Sequence, residues 1–165
     1  MVKSEHASNV ILKILYSVSL GLIIAFFVGL GIEAFYPTEK YPEYPVQLQT
    51  KTDPSTFTEA QKQIQTDYDK TVSDYNARSS KHEKNVSMIA IGASILIMIV
   101  GLLINDRTNV FSNGLLLGSI LTLFYSIARG MMSTDTKYRF ILISIGLVVA
   151  LVLGYIKFIK KDQNE

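Results

Sequence analysis

Charge is shut out of four stretches of this chain. Ile14 to Ile32, Val86 to Ile104, Val110 to Ala128 and Phe140 to Ile156 contain no Asp, Glu, Lys or Arg. Charged residues flank each run: Lys13 and Glu33, Lys84 and Asp106, Arg107 and Arg129, Arg139 and Lys157. About 20 mostly apolar residues in a helix cross a hydrocarbon core of about 30 Å. With Tyr36, Tyr138 and Phe158 extending the ends, the spans read as about 14–36, 86–104, 110–129 and 138–158. Tyr16, Tyr36, Tyr138 and Tyr155 fall near span ends, where an amphipathic ring is most stable. The first run exceeds the usual 7–15 residue core of a signal peptide and no Ala-x-Ala site follows it, so it reads as a retained helix. The expected fold is all-α. It is a four-helix transmembrane bundle, one membrane domain over 1–165, with a long helix projecting from the membrane into span two.

An even number of spans puts both termini on one side. Lys3 and Lys13 precede the first span, only Lys40 follows it closely, and Lys157, Lys160 and Lys161 close the chain. The other side carries ten Lys or Arg, spread over a longer loop that also holds many acids, but the basic flanks of the first span predict termini in the cytoplasm.

The polar remainder lies between spans one and two. Its first part, 37–53, repeats Tyr-Pro at Tyr36-Pro37, Tyr41-Pro42 and Tyr44-Pro45. Proline holds the residue before it in extended geometry and has no N–H to donate, so this part reads as a polyproline-like strap. Its second part, 54–85, opens at Asp53-Pro54-Ser55, a helix-start signal. No Gly or Pro interrupts it from Ser55 to Ile91. The helix is therefore expected to run into span two as one rod of about 75 Å at 1.5 Å per residue. Ile64, Tyr68 and Tyr75 make a narrow apolar stripe along it, and Tyr41 and Tyr44 share a face of the strap. These five residues are a candidate partner surface, or the strap folds back to cover the stripe.

Small residues recur every fourth position within the spans. Ser17, Gly21, Ala25 and Gly29 do so in span one, Gly114, Gly118, Thr122 and Ser126 in span three, and Gly146, Ala150 and Gly154 in span four. In lipid, helices associate where small residues let backbones approach, so these stripes are expected to pack spans one, three and four together, or to join subunits. Glu33 and Arg129 lie closest to the hydrocarbon and at the same face. A carboxylate there needs a partner, which makes Glu33–Arg129 the expected interfacial ion pair, with Arg139 as alternative cation.

Catalytic signals are absent from the sequence. The chain has no cysteine, which excludes thiol catalysis, disulfides and cysteine-ligated metal. His6 and His82 are far apart, show no HxxxH or HExxH spacing and read as solvated, so no metal or cofactor is expected. Asp67, Asp69 and Asp74 lack the glycine and terminal glutamate of a calcium loop. A net charge of +2 gives no footprint for nucleic acid.

The segments Ser112-Asn113-Gly114-Leu115-Leu116-Leu117-Gly118, Tyr138-Arg139-Phe140, Gly154-Tyr155-Ile156-Lys157-Phe158 and Ala34-Phe35-Tyr36-Pro37 resemble uncharacterised small four-span membrane proteins of reduced-genome bacteria. That resemblance implies a bacterial inner-membrane setting and no particular activity. The layout also resembles that of claudin- and connexin-type four-span proteins, whose loop cysteines have no counterpart here. The function expected is that of a non-enzymatic envelope scaffold or interaction protein, with the bilayer and itself or another envelope protein as partners. The alternative is an oligomeric channel or transporter with Ser119, Thr122 and Ser126 as its mildly polar face.

Overall fold

A backbone surrounded by hydrocarbon can satisfy its polar groups within a single segment only as a helix. The computed structural model describes residues 2–49, 57–104 and 109–156, and every regular element in them is helical. The elements are α1 (Val2–Phe35), a single turn α2 (Val46–Gln49), α3 (Glu59–Ile104), α4 (Asn109–Met131) and α5 (Thr136–Gly154). Among the described residues four helices, all but α2, are long and apolar enough to cross a membrane. The chain therefore reads as an integral membrane protein with four apolar helices. Lys157 and Phe158, at the end of the fourth expected span, lie outside the described residues.

Two helix starts are set by short polar motifs. Thr58 and Gln61 form a capping box: the Gln61 side chain accepts from the Thr58 N–H at 3.1 Å, and Thr58 Oγ1 accepts from the Gln61 N–H at 3.4 Å. The described helix thus begins at Glu59, later than the start expected near Pro54, which itself lies outside the described residues. Asp135 caps α5, its carboxylate accepting from the N–H groups of Lys137 and Tyr138. At 46 residues α3 is about 69 Å long. α1 ends where Tyr36 donates its N–H to Ile32 O at 2.7 Å and Pro37 follows.

α4 sits between α1 and α3, and α5 touches α4 along one edge. The α1–α4 seam follows the small residues. A Cβ on Gly21 would lie 3.1 Å from the backbone nitrogen of Gly118, and one on Gly118 would lie 3.0 Å from Ile24 Cβ. Gly114 takes the Leu20 side chain, Gly29 faces the Tyr125 ring, and Ser17 Oγ donates to Val110 O at 2.9 Å. Ala25 is half-buried on the same helix.

The α3–α4 seam is made of hydroxyls. Ser80, Ser87, Ser94 and Gly101 recur every seven residues on α3, and Ser112, Ser119, Ser126 and Ser133 recur every seven along α4 and just past its end. The two series meet antiparallel. Ser80 Oγ lies 3.2 Å from Ser133 Oγ. Ser87 Oγ donates to Ser126 O at 2.8 Å, and Ser126 Oγ donates to Ser87 O at 2.8 Å. Ser112 Oγ donates to Gly101 O at 2.7 Å. Ser94 and Ser119 are buried at the same depth, each bonded to a carbonyl of its own helix. Spacing by seven keeps one face of each helix in contact through several turns. It makes α3 a principal packing partner of α4.

α5 departs from its expected place in the tight group. At Gly130 a side chain would collide with Leu142 and lie 2.8 Å from Ser87 Oγ, and at Gly146 it would lie 2.9 Å from Ile127. At Gly154 it would meet nothing within 4 Å. α5 therefore leans away from α4 towards its C-terminus. An apolar cleft of about 420 Å³ opens between α3, α4 and α5, with Ala150 and Gly154 on its wall.

Candidate functional site: a polar hub at the edge of the apolar zone

Ionisable and hydroxyl side chains of α3 radiate from the two turns between Ser80 and Ser87. Glu83 is buried, 3% exposed, and points at the end of α4, where its Oε2 lies 3.0 Å from Arg129 Nε. The two atoms are close without the alignment of a hydrogen bond, so the contact is chiefly electrostatic. Arg129 Nη2 lies 3.8 Å from Glu33 Oε2 and donates to Thr38 Oγ1 at 3.3 Å. Glu33 in turn accepts from the Thr38 N–H and hydroxyl, at 3.4 and 3.5 Å. Two carboxylates thus bracket one guanidinium, the nearer being the buried Glu83 that sequence reasoning passed over. Arg139, the alternative cation, is turned elsewhere: its Nε donates to Ser133 O at 2.6 Å.

His82 is not a solvated histidine. Its ring stacks on Tyr36, with centroids 4.5 Å apart and planes 5° apart, and its side chain is 12% exposed. Its Nε2 donates to Tyr36 O at 3.0 Å, because a carbonyl only accepts. In a neutral ring Nδ1 then carries a lone pair, 3.8 Å from Glu83 Oε1. Asn85 donates from Nδ2 to the Tyr36 hydroxyl at 3.0 Å and completes the clasp on the strap.

On the other side of α3 the hub holds the α4–α5 turn. Ser80 Oγ accepts from the Thr134 N–H at 3.1 Å. Lys84 Nζ lies 2.8 Å from Asp135 Oδ2, and Tyr138 donates its hydroxyl proton to Lys84 O at 3.0 Å. The Lys84 hydrogen bond, with those from the Tyr138 and Lys137 amides, holds the Asp135 carboxyl below its usual range. One α3 segment therefore ties together the end of α1, the end of α4, the strap and the cap of α5.

Further along α3 the strap lies on the stripe. Tyr41 meets Tyr75 and Tyr44 meets Tyr68, each pair edge to face at 5.2 Å. The Tyr75 hydroxyl donates to Glu39 O at 3.3 Å, and Glu39 Oε2 pairs with Arg78 Nε at 3.0 Å. Loss of water at the Tyr68 phenol, with its bond to Tyr41, pushes its pKa up. Ile64 is half-buried on the same face. At the tip Leu48 of α2 and Phe57 are buried, 1% and 8% exposed, and Gln61 donates to Gln47 O at 3.4 Å. The five residues of the candidate partner surface are thus arranged with Tyr41 and Tyr44 against Tyr75 and Tyr68, within the chain.

The hydroxyls proposed for a pore lie inside the packing. Ser119, Thr122 and Ser126 are 3%, 0% and 0% exposed, and Thr122 donates to Gly118 O at 2.8 Å. Among the described residues no group of three or more His, Cys, Asp or Glu could hold a metal ion. The class these features define is a helical membrane protein with four apolar helices and a charge cluster at one end of them. No family model, curated protein or solved structure matches the chain.

Proposed function

We propose that the protein is a non-enzymatic scaffold of a bacterial inner membrane. In this reading α1, α3, α4 and α5 span the bilayer as a bundle, with both termini in the cytoplasm. α3 projects beyond the bilayer for about 40 Å and offers its polar side to another envelope protein or a second copy. The observation that carries this reading is the docked strap. Tyr36, Tyr41 and Tyr44 stiffen one face of a helix whose other face, from Lys62 to Asn76, stays polar and exposed. A projecting helix braced in this way suits contact with a partner. The closed serine seam supports it further, because a channel lined by Ser119, Thr122 and Ser126 would have to open that seam to water.

Two measurements on the intact protein test this function. Photo-crosslinkers placed at Thr71 and Asp74 should trap the same discrete adduct in living cells, while one at the exposed Leu147 within α5 traps none. Liposomes carrying the purified protein should leak ions no faster than empty ones. Ion flux that rises with protein content and changes on Thr122→Val would replace the scaffold by the channel.

A further inference from the structure

We propose that the recess between the strap and α3 binds a phosphate group, the headgroup phosphate of a lipid or a free phosphate. The recess holds about 380 Å³ and is walled by Thr38 and Glu39 of the strap and by Arg78, Lys81, His82 and Asn85 of α3. Lysine and arginine contribute two cations to it against the single carboxylate of Glu39. That carboxylate is already engaged by Arg78 Nε, which leaves the terminal nitrogens of Arg78 for another acceptor. Lys81 is exposed and has no carboxylate partner among the described residues. An ammonium and a guanidinium on adjacent turns of one helix match a phosphate, the guanidinium through paired N–H groups and the ammonium as a point charge. Thr38 and Asn85 add neutral polar groups to the wall.

The height of the recess selects this chemistry, and here the inference rests on the membrane reading. Tyr36 and Pro37 follow the apolar end of α1, and Asn85 immediately precedes the apolar part of α3 that begins at Val86. The recess thus lies at the edge of the apolar zone, at the level of headgroup phosphates. The overall charge of +2 argues for no strongly anionic partner, yet the wall of the recess itself sets Arg78 and Lys81 against Glu39.

The test uses the full chain in detergent, with retained lipid counted by native mass spectrometry. Phosphatidylglycerol should be retained well above galactosyl diacylglycerol, which has no phosphate. Lys81→Gln should cut that retention roughly fivefold, the contribution of one basic residue at a lipid surface. Lys62→Gln, distant and paired with Glu59, should leave it unchanged. Lys81 makes no ion pair among the described residues, so its loss leaves the strap docked, and an unchanged circular dichroism spectrum checks this. Inorganic phosphate that displaces the lipid at matched concentration would assign the site to free phosphate. Failure to displace would assign it to the lipid headgroup. Equal retention of the galactolipid, or an equal effect of Lys62→Gln, would overturn the site. The membrane reading fails separately, if carbonate washing strips the protein from membranes, and inorganic phosphate binding by the soluble protein would then decide the site alone.

Discussion

Replacing Arg129 by Gln should destabilise the protein by about 3–5 kcal/mol, because it strands a buried carboxylate without its cation. Glu83 is the reason. It is 3% exposed and its Oε2 lies 3.0 Å from Arg129 Nε, whereas Glu33 has a side chain 52% exposed and stands 3.8 Å from Nη2. Screening by water limits the half-exposed pair to about 0–1 kcal/mol, so Glu33→Gln should be mild and Glu83→Gln severe. Removing both buried charges, Glu83→Gln with Arg129→Gln, should cost clearly less than the sum of the two single changes. Thermal and denaturant unfolding of the purified protein in one detergent supplies all the terms. Additivity of the Glu83 and Arg129 changes, or a Glu33→Gln as costly as Glu83→Gln, would remove the buried pair from its place in the hub.

Gly118→Leu should lower stability by at least about 3 kcal/mol, the upper end for overpacked cores. A Cβ at Gly118 would already lie 3.0 Å from both Cβ and Cγ2 of Ile24, and the branched stem of isoleucine cannot swing aside as a side-chain tip can. Across the seam Gly21 presses on the Gly118 backbone, so α1 cannot slide to make room. The matched control is Gly154→Leu, where the new side chain meets nothing within 4 Å and should change stability by less than about 0.5 kcal/mol. Melting temperatures of the two variants in detergent decide it. Equal melting would mean that the α1–α4 seam does not hold the bundle together.

The four apolar helices were legible because exclusion of charge over about 20 residues has few other causes. The strap was legible in part, since Tyr-Pro steps and the Ile64–Tyr68–Tyr75 stripe each signal a surface that needs covering. The pairing of helices was harder. The four-residue stripes of small residues on α1 and α4 lie along their shared seam, whereas the same kind of stripe on α5 lines a cleft towards its end. A small residue permits close approach without requiring it. The α3–α4 seam was missed because its signal is a seven-residue spacing of serines. Ser80, Ser87 and Ser94 against Ser119, Ser126 and Ser133 is a pattern that only shows when two antiparallel helices are compared. Glu83 was passed over for a different reason. Flanked by His82 and Lys84 in a polar stretch, it looks solvated, and only the rotation of α3 turns it towards Arg129 while Lys84 turns to Asp135. The helix start was read from Asp53-Pro54-Ser55 alone, whereas the described helix opens on the Thr58–Gln61 capping box.

In the proposed topology α1 crosses a bilayer and delivers the strap and the first half of α3 to the far side. Single cysteines at Ser4 and Ser73, in a chain with no native cysteine, read this directly with a membrane-impermeant thiol reagent. In intact cells Ser73→Cys should be labelled and Ser4→Cys protected until the cells are broken. Labelling of Ser4→Cys with Ser73→Cys protected would reverse the orientation, and labelling of both or of neither in intact cells would contradict the crossing itself.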